Sequence, residues 1–342
     1  MRVLVTGATG FVGGAIVRRL LDEGATVHAF VRDAARATAQ HESKSKHDVR
    51  FFEGDLGDPN AIARAAEGCD VVVNAAGRHD DRASLQELGT LHVAGTENVV
   101  RAARHAGVKR LVHVSSSDAT LHRGPRVGWS EDRALSHLPL GVVGRTKLES
   151  EEVAIGAASD RRRSAGSAAD DRRLEVLVLR PGRVWGARDR SRLPALAAEG
   201  LRGGIALFGP GTNLVATTHV DNLAHAAALA AQAEASGAIV YVLDAELNLA
   251  GDFFGALSTA LDLPAPKKSA LGVRGHLALS WTKSVPAEEI VRRAQSSSFD
   301  PRRAKELLGY EPRVSLGEGM RELATWAREL GGARAVAEKK SS

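Results

Sequence analysis

The stretch Val3-Leu4-Val5-Thr6-Gly7-Ala8-Thr9-Gly10-Phe11-Val12-Gly13 decides the fold of this chain. An apolar run ends at Thr6 and the chain turns on Gly7. Gly10 leaves the backbone free to approach a pyrophosphate with no Cβ in the way. Gly13 lets the helix that opens through Phe11 and Val12 pack close against the strand before it. The amides at that helix start, together with the helix dipole, make an anion site. Turns collect glycine, so three glycines alone say little. Here they follow a first strand and open a helix, which is the setting a dinucleotide-binding turn requires.

Outward from this turn, short runs dense in Val and Leu alternate with longer segments of helical spacing. Val3–Thr6, Thr26–Val31, Val49–Phe52, Val71–Asn74 and Leu111–Ser115 have the character of buried parallel strands. Gly13–Glu23, Pro59–Ala66, Leu85–Ala106 and Gly144–Ile155 are the helices between and after them. The alternation predicts an α/β fold, a doubly wound parallel sheet of the NAD(P)-binding Rossmann type. Leu174–Arg180 adds a sixth strand after a polar stretch at about 157–173, expected as a surface insertion. Residues 1–185 are therefore expected to form the dinucleotide-binding domain. Residues 186–336 are expected to form a smaller substrate lobe with returning elements, and 337–342 a frayed tail. The lobe would draw on helices near Ser191–Arg202, Asp221–Glu234 and Leu316–Leu330, and on strands near Ile205–Phe208 and Ile239–Leu243.

Composition narrows the partners. Of 342 residues, 44% are apolar and 25% charged, proportions that exclude a disordered tail protein. Lys and Arg number 46 against 41 Asp and Glu, but much of the Arg excess sits in the polar run holding Arg161, Arg162, Arg163, Arg172 and Arg173. No aromatics interleave with it, so a small molecule rather than nucleic acid is the expected partner. The single cysteine, Cys69, excludes an internal disulfide and offers no Cys pair for a metal, which fits a reducing cytoplasm. The N-terminus has no charged segment followed by an apolar one, so no signal peptide is expected. No apolar run approaches the ~20 residues of a membrane span. Leu271–Trp281 comes nearest and is interrupted by Arg274 and His276. His219 and His225 stand six apart, off one helix face, and no metal site is expected.

The end of the second strand chooses between nicotinamide cofactors, since NAD wants a carboxylate for its ribose and the 2′-phosphate of NADP wants a cation. The chain has Val31 at the usual acid position, then Arg32 and Asp33. A guanidinium there pairs with a phosphate, which favours NADP. NAD stays open because Asp33 can swing in, and Arg32 can equally be a solvated loop charge.

Further along stand Gly54-Asp55-Leu56, Asn74-Ala75-Ala76-Gly77, Val93-Ala94-Gly95-Thr96-Glu97-Asn98-Val99, His113-Val114-Ser115-Ser116-Ser117 and Gly144-Arg145-Thr146-Lys147-Leu148-Glu149. Leu179-Arg180-Pro181-Gly182-Arg183-Val184-Trp185-Gly186, His219-Val220-Asp221-Asn222-Leu223-Ala224 and Phe299-Asp300-Pro301 through Leu308-Gly309-Tyr310 follow. In order and spacing these pieces resemble the extended short-chain dehydrogenase/reductases of the NAD-dependent epimerase/dehydratase superfamily. Within them the likeness is to the 3β-hydroxysteroid dehydrogenase/isomerase and dihydroflavonol reductase-like branch. The resemblance implies that Asp55 and Leu56 hold the adenine edge, that Ala75, Ala76 and Gly77 line the middle of the cofactor, and that Pro181 and Val184 sit by the nicotinamide. All follow strand ends on the carboxyl side of the sheet, where open α/β folds bind ligands. Taken singly, Asn74–Gly77 can also be an ordinary strand-end turn, and Asp55 a turn or cap carboxylate. By the same analogy the helices after the fourth and fifth strands allow a homodimer.

Members of this family generally carry a Tyr-x-x-x-Lys pair on the helix after the fifth strand. The tyrosine exchanges a proton with the reacting oxygen, the lysine holds the nicotinamide ribose, and a serine ending the fifth strand bonds the substrate oxygen. Lys147 and Ser117 hold the lysine and serine positions and are the catalytic candidates. Four residues before Lys147 stands Val143, and the only tyrosines are Tyr241 and Tyr310. Valine has no titratable proton, and losing such a group costs about 10²–10⁴-fold in rate. Asp118, Asp132 and His137 lie near enough to be substitutes, each equally a solvated or capping residue, and a water ordered by Ser117 is another route. Ser117 can instead be a strand-end hydroxyl bonded to backbone, and Lys147 a surface lysine paired with Glu151. His92 stands where relatives commonly have Asn. Two accounts follow. One is an NAD(P)-dependent oxidoreductase working on a hydroxyl or carbonyl of an apolar, sterol-like or flavonoid-like substrate with a non-standard proton route. The other is a catalytically silent NADP(H)-binding redox sensor or assembly subunit.

Overall fold

A computed structural model of the chain describes residues 1–40, 49–159, 173–269 and 285–339. Seven parallel strands form its central sheet: β1 (Arg2–Thr6), β2 (Thr26–Val31), β3 (Val49–Glu53), β4 (Val71–Asn74), β5 (Arg110–Val114), β6 (Glu175–Pro181) and β7 (Ala238–Val242). Their order is β7-β6-β5-β4-β1-β2-β3. The chain winds outward from β1 to β3, then crosses back to β4 on the other side of β1. That reversal opens a crevice between the carboxyl ends of β1 and β4, where Thr6 and Asn74 stand in register.

Successive side chains of a strand face opposite layers. Val3 and Val5 face one layer, where Ile16 and Leu20 of helix α1 (Phe11–Asp22) meet Leu223 and Ala227 from Val220–Gln232. Leu4, Val72 and Leu111 face the other layer, against Ile62, Val99, Ala103 and Ala154. Both faces are covered, which is why the strand sequences are apolar throughout rather than alternating. A third core joins Trp185, Leu196, Phe253, Phe254 and Leu323 in the smaller lobe. The seventh strand comes from the second half of the chain, so the lobe leaves the sheet after β6 and returns to it at β7.

The expected helix Leu85–Ala106 runs unbroken from Leu85 to His105 but widens part-way along. Leu85–Gly89 and α2 (Gly95–His105) flank a wider π-type turn at Thr90–Ala94. The turn buries His92 on the inside, and Gly95 beyond it packs on Leu56, whose Cδ1 would lie 3.1 Å from a Cβ there. Helix α3 starts at Gly141 and runs to Ser159, longer at both ends than its spacing suggested. The polar insertion therefore begins later than 157, and the rest of it, 160–172, lies outside the described residues, as does Leu271–Trp281. A parallel pair of short strands, Arg126–Trp129 with Ser297–Phe299, and the helices Ala250–Ala260 and α4 (Ala287–Ala294) carried no periodic signal that the sequence reading used. The helix Gly332–Glu338 takes in the first two residues of the tail expected to fray from 337, because Val336 is buried in the lobe core. Among the described residues, no helix is long and apolar enough to cross a membrane.

Gly13 shows how tightly α1 meets the turn. A Cβ there would lie 2.1 Å from the Gly7 carbonyl oxygen, whereas one on Gly14 has 3.4 Å to its nearest neighbour. Gly13→Ala is expected to cost about 1–3 kcal/mol through overpacking, and Gly14→Ala close to nothing. Urea unfolding of the two variants beside the parent checks this. Equal midpoints for both substitutions would contradict the close approach.

Candidate active site

At the crevice, Gly7 has φ +67, and a Cβ on it would lie 2.8 Å from the Ala76 backbone. The turn after β1 and the loop after β4 thus touch through bare backbone. Gly10 caps α1 with no side-chain hydrogen bond, so the first amides of α1 are not capped by a side chain. This cradle of amides, which a single Cβ would fill, fits the diphosphate of a dinucleotide. Gly7 meets Ala75 and Ala76 there, Gly10 and Gly13 pack on the Gly7 carbonyl, Phe11 and Val12 open α1, and Gly77 follows Ala76.

At the end of β2, Asp33 is committed to the helix that follows, its Oδ1 accepting from the Arg36 amide at 2.8 Å. Arg32 is exposed and makes no hydrogen bond or ion pair with any described residue. Asp55 is also exposed and turns one oxygen onto the Gly57 amide at 2.8 Å, which makes it a turn carboxylate with its other oxygen free. Leu56 is buried under α2 and its carbonyl accepts from Asn98. Pro181 ends β6, and Val184 lies in the short strand Arg183–Trp185, paired in parallel with Thr217–His219.

Lys147 is half-buried on α3. Its Nζ donates to the Val114 carbonyl at 3.0 Å, and a Cβ on Gly77 would lie 3.2 Å from it. Burial pushes the Lys147 ammonium down to about 8, against the attraction of Glu151. The alternative of a surface lysine paired with Glu151 is not what the fold adopts. Glu151 is buried and held by both nitrogens of the Arg180 fork, at 2.8 and 2.5 Å, and by the Ser115 hydroxyl. Removing one partner of such a pair costs about 3–5 kcal/mol, so this end of α3 is firmly fixed.

Below Lys147 lie two buried histidines that the sequence reading had not linked to it. His92 Nε2 accepts from the Arg78 amide at 3.2 Å and its Nδ1 meets the Thr146 hydroxyl at 2.8 Å. His113 Nδ1 accepts from the Asn74 amide and its Nε2 meets Ser150. Burial, then the charge of Lys147, pushes His92 down to about 2 and His113 to about 3. Both rings are neutral at physiological pH, and their nitrogens are spoken for.

Ser117 opens a short 3₁₀ turn after β5. Its carbonyl accepts from Arg126 and from the Thr120 hydroxyl, while its own hydroxyl bonds no described residue. Val143, one helical turn before Lys147, is buried against Ala83 and Leu88. Neither tyrosine replaces a phenol there. Tyr241 is wholly buried and stacked on Phe299 at 4.2 Å, and the Tyr310 hydroxyl donates to the Leu243 carbonyl. The nearby substitutes fare no better. Asp132 is exposed and paired with Arg303, and His137 is exposed. Asp118 is buried between Arg292, at 3.0 Å, and Arg192, at 3.4 Å, with its carboxyl held well below the usual range by those guanidinium groups despite its burial.

Asp118 belongs to a buried charge network where the lobe meets the strand ends. Arg292 on α4 also binds Asp81 at 2.5 Å and Glu289 at 3.0 Å, Arg293 binds Glu289 and Glu199, and Arg183 binds Glu289. His79 sits beside Arg192 and is kept neutral by burial. The sequence reading missed this network, because its members stand up to 211 residues apart and share no local pattern. His219 and His225 do not converge: His219 Nδ1 accepts from the Asp221 amide, and His225 meets Arg19. A ring nitrogen of His219 and carboxylates of Asp221 and Glu322 lie within 4.8 Å of one another.

The profile of the NAD dependent epimerase/dehydratase family matches residues 3–243. A 2-alkyl-3-oxoalkanoate reductase of Stenotrophomonas maltophilia (strain K279a) is 30% identical over 348 aligned positions, covering 94% of this chain and 98% of the relative. The mouse sterol-4-alpha-carboxylate 3-dehydrogenase, decarboxylating, is 26% identical, covering 92% and 88% respectively. Among solved structures, MoeE5 in complex with UDP-glucuronic acid and NAD superposes with a TM-score of 0.74 at 26% identity, over 96% of this chain and 99% of that one. From the dinucleotide cradle through the lysine on α3, the chain belongs to the NAD dependent epimerase/dehydratase family.

Proposed function

We propose that the chain is an NADP(H)-dependent oxidoreductase acting at a carbonyl or hydroxyl carbon of a largely apolar substrate, with water as the proton source. The reading is carried by one juxtaposition: the Lys147 ammonium beside Gly77 and the strand end of β5, with the unengaged hydroxyl of Ser117 following that strand. A nicotinamide held at the cradle would supply hydride chemistry at a carbonyl or carbinol carbon. Lys147 holds the ribose hydroxyls, fixed in place by its bond to Val114. Ser117 orients the substrate oxygen and a water beside it, and that water delivers or accepts the proton. The sterol carboxylate and alkyl-oxoalkanoate named for the two relatives support a substrate with a long apolar body.

A second reading, a dinucleotide-binding sensor or assembly subunit without turnover, is favoured by one observation: Val143 sits in a packed apolar cluster rather than at an open pocket. Absorbance at 340 nm with ketosteroids and alkyl-3-oxo acids separates the two. Oxidation of NADPH that falls about tenfold or more in both Ser117→Ala and Lys147→Ala is expected of the enzyme. Tight NADPH binding without turnover on any compound would leave the sensor standing.

A water route is slower than a phenol. Val143→Tyr, which adds a proton donor one turn before Lys147, is expected to raise kcat by about tenfold or more. A rate unchanged in a folded variant would show that proton delivery does not limit the reaction.

Cofactor preference follows from the end of β2. With one oxygen of Asp33 turned onto the Arg36 amide and Arg32 unpaired among the described residues, the 2′-phosphate of NADP would meet a cation there. Arg32→Ala is expected to weaken NADPH by about tenfold while leaving NADH nearly unchanged. Equal losses in fluorescence titrations of the two cofactors would refute the assignment.

A further inference from the structure

We infer that Arg126 is the positioning residue of Ser117: its guanidinium fixes the serine carbonyl and makes the surroundings of the serine hydroxyl positive, which stabilises negative charge on an oxygen bonded there. The inference rests on the reading of Ser117 as the group that bonds the substrate oxygen. The contacts behind it involve neither Lys147 nor a dinucleotide.

Arg126 opens the short strand Arg126–Trp129 and is 5% exposed. Its Nη1 donates to the Ser117 carbonyl at 2.7 Å and to the Thr120 hydroxyl oxygen at 3.2 Å, and its guanidinium lies 5.2 Å from the centre of the Phe299 ring. No carboxylate among the described residues bonds it. The arginines beside it each have one: Arg292 and Arg192 share Asp118, and Arg183 and Arg293 share Glu289. Taking a cation out of water without an acid is costly. The strand does not need that cation, since its pairing is made by backbone, with the Arg126 amide donating to the Ser296 carbonyl at 2.8 Å. Both polar contacts of the side chain fall instead on the turn Ser117–Thr120.

That turn has other fastenings. The Ser116 hydroxyl accepts from the Asp118 amide at 3.1 Å, and the Thr120 hydroxyl donates to the Ser117 carbonyl at 2.9 Å. A Cβ on Gly144 would lie 2.6 Å from the Asp118 carbonyl oxygen, so α3 closes tightly against it. The Ser117 carbonyl thus has a donor besides Arg126, and what a hydroxyl does not supply is charge. Covalent geometry keeps the Ser117 hydroxyl within about 7 Å of the donating nitrogen. In buried surroundings a charge at that distance is strongly felt. Ser117 is 6% exposed and its hydroxyl bonds no described residue. The oxygen of a carbonyl under reduction becomes negative before a water protonates it, and a fixed cation close by stabilises that charge. The ionisable groups facing Arg126 do not cancel it. Asp118 is matched by Arg292 and Arg192, burial pushes the Tyr241 phenol up so that it keeps its proton, and burial lowers His122 so that its ring is neutral. Burial lowers Arg126 as well, against the attraction of Asp118, yet a guanidinium stays protonated throughout the working range.

The test reads the charge around residue 117 directly. In Ser117→Cys, the pH dependence of alkylation by iodoacetamide, followed by mass spectrometry, gives the midpoint of the new thiol. Cys69 does not interfere, because burial pushes its thiol up to about 12. Arg126→Gln keeps a donor for the Ser117 carbonyl and removes the charge. Added to Ser117→Cys, it is expected to raise the midpoint by about one pH unit, which slows alkylation about tenfold at a pH below both midpoints. Equal midpoints in the two chains would mean that Arg126 only holds the turn, and overturn the inference. Where Arg126→Gln does not fold, Ser117→Cys decides alone. A buried thiol with no cation nearby titrates above the ordinary value of about 8.5, so a midpoint there overturns the inference and one below it supports it. Turnover keeps the two claims apart. Arg126→Gln alone is expected to lower kcat for NADPH oxidation about tenfold with NADPH affinity unchanged. A raised thiol midpoint with no turnover by the parent chain supports the role of Arg126 and counts against the oxidoreductase. Equal midpoints with turnover by the parent keep the oxidoreductase and overturn the role of Arg126.

Discussion

The side chain of Asn74 ties the two halves of the site together. Its Oδ1 accepts from the Thr6 hydroxyl at 2.7 Å, and that hydroxyl in turn accepts from the Ala76 amide. Its Nδ2 reaches both the Thr96 hydroxyl and His113 Nδ1, at 3.2 Å each. Thr96 donates to the His92 carbonyl inside the π turn, and His113 continues through Ser150 to the Lys147 carbonyl. One buried chain of hydrogen bonds therefore runs from the phosphate turn to the helix that carries the lysine. The side chains of Thr6, Asn74, Thr96, His113 and Ser150 along it are nearly or wholly excluded from water, so an unmet partner among them is costly. The spacing between the amides of α1 and Lys147 is set by this chain, with no ligand needed to define it.

The same chain explains two features that are otherwise odd. At the π turn Thr90–Ala94 the His92 carbonyl accepts from Thr96, and the imidazole lies under Gly77, its Nε2 3.5 Å from where a Cβ on that glycine would stand. Neutral histidines beneath Lys147 supply hydrogen bonds without competing charge. Burial alone makes the ammonium easier to discharge, and a second cation there would push it further. His92 and His113 are held neutral partly by Lys147 itself, so the cluster keeps a single charge, on the atom that faces the cradle.

The fold was legible because its signals are local. Gly7, Gly10 and Gly13 each answer a contact within a few residues, and the Val-rich runs record burial on both faces of one sheet. Lys147 and Ser117 were singled out by position, and the fold sets the first on α3 against the Val114 carbonyl and the second at the start of the turn that follows β5. What escaped notice is all long-range. The π turn has no composition of its own, since it exists to satisfy Asn74 and Thr146 from other elements. Arg292 and Arg293 lie in a segment to which the sequence assigned no element, with Glu288 and Glu289 one turn before them. Only the fold shows that Asp81 and Asp118, from two different strand exits, close over Arg292. Sequence spacing likewise suggested Lys147 with Glu151, yet Arg180 from the neighbouring strand takes that carboxylate.

The charge network bears on how the lobe and the sheet are joined. Asp81 follows β4, Asp118 follows β5, Arg183 follows β6, and Arg192 and α4 come from the lobe. Apolar side chains at this junction would hold at least as firmly, because buried ion pairs seldom gain more than desolvation takes away. What ion pairs add is direction: each guanidinium fork accepts its carboxylate in one plane, so the lobe can close over the strand ends in one orientation only. Asp118, the residue after Ser117, is one of the carboxylates in that junction, so the network also fixes the backbone at the exit of β5.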